Sequence, residues 1–185
     1  MIATLDASTP GAVLGTHSTG RARSVAPAPA IRAATVDDAS RIHELIADHR
    51  VEGHLLSRSL AELQAHATRF FVAHDGPAIV GCGELAPLGT WTAEVRSLVV
   101  EAAFRGAGTG TGLARTIIDR ACARQFARLV AFTHDPVPFV RVGFSILPRL
   151  WVPEKIATDC VACERLRDCA QYALRLDLGP ARTGA

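Results

Sequence analysis

Lysine is almost absent from this chain: of its 20 basic side chains, all but Lys155 are arginine. With one lysine and no Gly-Lys pair, a P-loop nucleotide site is excluded. Tyrosine occurs once, at Tyr172, which narrows the choice of a phenolic acid or base. No apolar run approaches the roughly 20 residues that a membrane-spanning helix needs. The formal net charge of +2 is too small to argue for a nucleic-acid or membrane-surface partner. The cysteines number five, an odd count with no signal-peptide pattern ahead of them, and Cys82 and Cys122 sit inside apolar patterns. A disulfide framework is therefore not expected, and a reduced, cytoplasmic protein is. Internal repeats are also lacking.

What remains is a 185-residue chain with a hydrophobic fraction of 49%, enough for one domain with a sizeable core. Residues 1–29 are rich in Ala, Thr, Ser, Gly and Pro without apolar periodicity, which predicts a disordered extension. Asp6 and the lack of an amphipathic arginine face count against a transit peptide. Residues 30–178 carry the globular pattern, and 179–185 read as a flexible tail. In order, strands are expected at Ala30–Ala34, Phe70–His74, Ile79–Ala86, the run opened by Glu94, Leu129–Thr133, after Phe144, and at Tyr172–Leu178. Asp75-Gly76-Pro77 marks a hairpin. Helices are expected through Ile42, Leu45 and Ile46, after a Ser59/Glu62 capping box, after Gly110, and at Pro136–Val142. This order is no regular βαβ alternation. It predicts an α+β fold, an α/β/α sandwich with helices on both faces of a mixed sheet.

The chain is organised around Glu94–Leu113. A strand containing Val95, Leu98, Val99 and Val100 leads into Arg105-Gly106-Ala107-Gly108-Thr109-Gly110-Thr111. A helix follows, with Leu113, Ala114, Ile117, Ile118, Ala121 and Cys122 on one stripe. Glycines let the backbone wrap a ligand closely, and the unpartnered N–H groups opening the helix form an anion site, most often for phosphate. Thr111 stands where a dinucleotide fingerprint would need its last glycine.

Arg105, Gly108 and Gly110 fall on an R-x-x-G-x-G pattern that resembles the acetyl-CoA pyrophosphate loop of the GNAT acetyltransferase superfamily. Pro138-Phe139-Val140-Arg141-Val142-Gly143-Phe144 resembles its penultimate helix and turn. Three further strings are similar to the short bacterial N-acetylglutamate synthases: His54 to Ser59, Val80 to Leu85, and Glu94 to Val100. So is the tail from Leu150 to Ile156 with Cys160, Cys163 and Cys169. The resemblance covers roughly Ala30–Leu178 and implies the GNAT fold, its sheet splayed between the fourth and fifth strands. It implies acetyl-CoA as co-substrate, with no metal required. The backbones of Leu98, Val99 and Val100 would hold the pantetheine arm, with the Leu98 N–H on the thioester carbonyl. Residues Arg105, Gly106, Ala107, Gly108, Thr109, Gly110 and Thr111 would hold the pyrophosphate.

On the same basis Glu94 would be the general base, with Glu84 as the alternative carboxylate and a solvated strand-end glutamate as the bland one. Arg58 would bind a substrate carboxylate, Leu56 and Cys82 would line that pocket, and Arg96 or Lys155 would bind a second carboxylate. The ordinary alternatives are a surface arginine at Arg58 and a small buried hydrophobe at Cys82. Two features depart from the superfamily: Phe139 stands where many members have a tyrosine acid, and Thr133-His134-Asp135 replaces an asparagine. Cys160, Cys163 and Cys169 could hold zinc only with a fourth ligand such as His134 or Asp159, and free thiols are the preferred reading. The implied activity is acetylation of the α-amine of an amino acid, L-glutamate first, as in arginine biosynthesis. Another small amine, a protein N-terminus, or a non-catalytic acyl-CoA-binding module are the alternatives. The partner is a small-molecule amino acid, with no nucleic acid and no membrane; a homodimer is left open.

Overall fold

The computed structural model describes residues 29–50, 55, 57–164 and 166–179. The expected N-terminal extension up to residue 28, the last six residues of the tail, and Leu56 of the acceptor pocket lie outside the described residues. The chain runs β1 (Ala30–Ala33), α1 (Ala39–Arg50), α2 (Leu60–Ala65), β2 (Phe70–Asp75), β3 (Ala78–Pro87) and β4 (Thr92–Val100). It continues through α3 (Thr109–Ala123), β5 (Arg128–Thr133), α4 (Val137–Arg141), β6 (Ser145–Leu147), α5 (Pro153–Lys155) and β7 (Tyr172–Asp177). A π-helical turn, Ile156–Cys160, follows α5 directly.

The strands form one 7-stranded sheet in the order β1-β2-β3-β4-β5-β7-β6. Only β4 and β5 run parallel; the other pairs are antiparallel. The predicted α+β class, with a mixed sheet, is what the structure shows. Two apolar layers cover the sheet. Leu113, Ile117 and Ala121 of α3 pack with Val80, Leu85, Val95 and Leu129 on one face. Ile42, Leu45 and Ile46 of α1 and Leu63 of α2 pack with Phe70, Val72, Cys82 and Val99 on the other. No helix among the described residues is long and apolar enough to cross a membrane.

Local chemistry explains the ends of several elements. Asp38 opens the first helical turn by accepting from the Thr35 N–H at 2.8 Å and taking two hydrogen bonds from Arg32, at 2.7 and 2.9 Å. The Arg32 guanidinium holds the Asp38 carboxyl down to about 2. Ser59 caps α2, its hydroxyl accepting from the Glu62 N–H at 3.2 Å. The other half of the expected capping box is missing, because the Glu62 carboxylate is taken by Arg58 instead.

Two features of β4 prepare the site. Against β3 the register runs Leu85↔Val95 and Glu84↔Arg96, then resumes at Cys82↔Val99, so β4 carries one extra residue. Ser97, at φ 50, sits in this β-bulge. Because side chains alternate between faces, the extra residue resets the alternation: Ala93 and Val95, then Leu98 and Val100, face α3. Glu94 and Arg96 are left on the α1/α2 face. The second feature is the splay. Pairing of β4 with β5 covers only Thr92 to Val95, while β4 itself continues to Val100. The β5-facing edge of Arg96–Val100 is therefore open in mid-sheet.

Candidate active site

Where β4 ends, a 3-10 turn, Ala102–Phe104, leads into the glycine loop. Gly106 and Gly108 have φ of +82 and +86, and a Cβ added at either would meet nothing within 4 Å. Left-handed backbone and empty space together make a concave cradle that glycine can line and other residues line only under strain. Gly108 precedes the first turn of α3, and the Gly112 N–H is the first to bond back, to the Gly108 carbonyl at 2.8 Å. The N–H groups of Thr109, Gly110 and Thr111 thus open the helix without intrahelical partners. No acidic residue occupies that first turn, so the positive end of the helix is left for an anion. Thr109 fastens the loop by donating its hydroxyl to the Phe104 carbonyl at 3.1 Å. The Arg105 Nε donates to the Val100 carbonyl at 2.9 Å, tying the loop to the end of β4.

A polar cluster lies on the α1/α2 side of the bulge. Glu94 is 2% exposed, the most buried charged side chain among the described residues. Its Oε1 lies 2.7 Å from the Lys155 Nζ. Its Oε2 accepts from Lys155 at 2.9 Å and from the Nε and Nη2 of Arg96 at 3.0 and 2.8 Å. Asp159 closes the square, accepting from Lys155 at 2.6 Å and from Arg96 Nη2 at 2.8 Å. Burial works against the Asp159 charge, but the hydrogen bond from Lys155 and the charges of Lys155, Arg96 and Arg58 outweigh it and lower its pKa. Burial opposes the Arg96 charge as well, and Glu94 and Asp159 overcome it to raise the pKa. Lys155 also stands over the Phe132 ring, 5.5 Å from its centroid.

Glu84 faces this square from β3, opposite Arg96 in register. It is 3% exposed, and none of the side-chain hydrogen bonds or ion pairs among the described residues reaches its carboxylate. Burial raises its pKa; the nearby charges of Arg96, Arg58, Arg69 and His66 pull the other way without cancelling that rise. A buried carboxylate with a raised pKa is a better proton acceptor than an ordinary one.

The structure therefore brings Arg58, Arg96, Glu94 and Lys155 together and adds Asp159 to them. Arg58 is no free surface arginine: its side chain is 12% exposed and paired with Glu62. Glu94 is no solvated strand end. Cys82 is fully buried, its thiol pushed up to about 12 chiefly by burial, and it donates to the Ser97 carbonyl at 3.6 Å. It packs as a small hydrophobe beneath the bulge. Phe139 packs edge-on against Phe144, with ring centroids 5.4 Å apart, inside the core. Cys160, Cys163 and Cys169 are free thiols, and no group of three or more metal-binding side chains is assembled among the described residues. Sequence patterns point to Asp159 only as a metal ligand and mark neither Arg69 nor His66. The i,i+4 spacing of Lys155 and Asp159 was the available signal for the first of these.

The sequence pattern of the acetyltransferase (GNAT) family matches residues 38–144. An uncharacterized N-acetyltransferase of Chlorobaculum tepidum is 30% identical over 148 residues, 78% of this chain and 93% of that protein. An amino-acid acetyltransferase of Mycobacterium tuberculosis is 29% identical over 120 residues, 63% of this chain and 68% of that protein. Among solved structures, the N-acetylglutamate synthase of Neisseria gonorrhoeae in complex with coenzyme A and N-acetyl-glutamate is similar, with a TM-score of 0.71 and 26% identity. The match covers 82% of this chain but only 35% of that one.

Proposed function

The chain belongs to the acetyltransferase (GNAT) family and is an acetyl-CoA-dependent N-acetyltransferase; from that premise we propose that its acceptor is the α-amine of an amino acid, L-glutamate before others, as in the first step of arginine biosynthesis. The observation that carries the proposal is the position of the open β4 edge beside a cluster in which Arg58 and Arg96 bear on the buried Glu84 carboxylate and Lys155 clasps Glu94. The names of the mycobacterial amino-acid acetyltransferase and the Neisseria N-acetylglutamate synthase support it.

The residues present suit the co-substrate. The N–H groups of Thr109, Gly110 and Thr111, the Gly106–Gly108 cradle and Arg105 would take the pyrophosphate, and the open edge from Leu98 through Val100 would take the pantetheine arm as an added strand. Acetyl-CoA supplies an acetyl group activated as a thioester. The Leu98 N–H would donate to the carbonyl oxygen as charge builds on it. Phe139 supplies no proton to the departing thiol, which is acidic enough to leave as thiolate.

An acceptor dicarboxylate needs planar, bidentate donors. Arg58 spends only Nη1 on Glu62, and Arg96 keeps Nη1 free after serving Glu94 and Asp159. We assign the amine proton to Glu84. Glu94, with both oxygens committed to cations, then positions Lys155 and Arg96. A second reading keeps Glu94 as the base acting through water, since its Oε1 is held by Lys155 alone. The test of the acceptor is the initial rate of thiol release with acetyl-CoA and a panel of amino acids. Glutamate should exceed glutamine, and glutamine should exceed apolar amino acids. Faster turnover of leucine or a peptide N-terminus would move the acceptor class, and no thiol release with any amine would leave only a binding module.

A further inference from the structure

On the α3 face of the sheet, away from the splayed strands, a cavity of about 220 Å³ is lined by Thr68, Arg69, Phe71, Leu85, Arg120 and Arg124. Three arginines line it, and none of them makes an ion pair or side-chain hydrogen bond among the described residues. Five other arginines, Arg32, Arg41, Arg58, Arg96 and Arg175, have close carboxylate partners. Two of the three are held by aromatic rings instead. Arg120 lies over Phe71 and Arg124 over Phe126, each 5.8 Å from the ring centroid. A ring holds the face of a guanidinium and leaves its N–H edge unspent. Like charges gathered at one cavity repel each other unless something of opposite sign sits between them.

We infer that this cavity is a second binding site, for a small dianion, separate from the pyrophosphate loop and from the acceptor cluster. Phe71 and Leu85 give it an apolar floor, which suits a short dicarboxylate with a hydrocarbon body better than inorganic phosphate. The donors suit either, since a guanidinium edge matches carboxylate and phosphate oxygens alike. The cavity lies across the sheet from the acceptor cluster but is linked to it through β3. Leu85 follows Glu84 on β3, and Arg69 both lines the cavity and bears on the Glu84 charge.

The test uses the full chain saturated with coenzyme A, so that the pyrophosphate loop is already filled. Succinate and inorganic phosphate are titrated separately at constant ionic strength, with chloride as control, and binding is followed by calorimetry and thermal shift. Succinate should bind saturably, and Arg120→Ala with Arg124→Ala should weaken it by at least about tenfold. Both residues are exposed and make no side-chain hydrogen bond among the described residues, so this variant should fold and should keep the wild-type rate of acetyl transfer without added anion. Saturable binding of phosphate alone, lost in the same variant, would support the site and assign it to phosphate. Binding that survives the double substitution would place the anion in the acceptor cluster and overturn the inference. Binding of neither anion beyond chloride would overturn it too.

Discussion

Lys155→Met removes the cation that bridges Glu94 and Asp159 inside the protein. The square now holds two positive and two negative groups, Lys155 and Arg96 against Glu94 and Asp159. Losing one partner of a buried pair costs about 3–5 kcal/mol, because the charge left behind is uncompensated. Arg96 still reaches both carboxylates, so the low end, ~3 kcal/mol, is expected. In a domain of this size each kcal/mol moves Tm by about 2–4 °C, which gives a fall of ~6–12 °C. Glu94→Gln should cost a similar amount, leaving Lys155 buried with Asp159 alone. The double variant is different in kind. It deletes one charge of each sign and keeps the Arg96–Asp159 pair at 2.8 Å. Its cost should fall short of the sum of the two single costs by about 1–3 kcal/mol. Denaturant melts of the four proteins at neutral pH measure this coupling. Additive costs, within about 0.5 kcal/mol, would show that the square is solvated and energetically loose.

Glu84→Gln should slow turnover by about 10²–10⁴-fold near neutral pH, with the deficit shrinking by about pH 9.5 as free amine accumulates. If Glu94→Gln shows that pH-dependent recovery and Glu84→Gln does not, the base is Glu94. The same Glu84→Gln protein should be more stable than wild type at neutral pH. A carboxyl whose folded pKa is raised above its ordinary 4.5 costs stability as pH climbs from 4.5 through the raised value; melts at about pH 4 and about pH 8 should show the gain only at the higher pH. Gly108→Val forces a β-branched residue to φ +86, at a strain of about 1–3 kcal/mol. Acetyl-CoA binding by calorimetry should be lost while circular dichroism stays unchanged, and retained affinity would remove the loop from the site. Arg58→Lys should raise the KM for glutamate nearly as much as Arg58→Ala, by a factor equivalent to about 2–5 kcal/mol, with the KM for acetyl-CoA little changed. A lysine variant that works normally would rule out a bidentate contact.

The order of strands and helices was legible because each element writes its own period. The loop was legible because Gly106, Gly108 and Gly110 alternate between an apolar strand and an apolar stripe. The bulge at Ser97 left no such trace. Serine at φ 50 is unusual backbone at an ordinary residue, and only the register against β3 reveals it. Glu94 was ambiguous for a related reason. A glutamate before Val95 reads as a strand end, whereas β4 begins at Thr92 and Glu94 sits between Ala86 of β3 and Val130 of β5. Its partner Lys155 is 61 residues away along the chain. No local pattern announces a pair at that separation; the fold creates it.

The burial of Lys155 has a consequence for chemical self-damage. A thioester acylates any uncharged amine that reaches it, so an enzyme that works with one risks modifying its own surface. Here all but one of the 20 basic side chains are arginine, whose guanidinium keeps its proton and is no acyl acceptor. The exception, Lys155, is 7% exposed and clasped by Glu94 and Asp159, which keeps its amine away from a thioester in solvent. Among amines, the side chains of this protein therefore offer its own reagent no exposed lysine, and the amine of the acceptor competes with none.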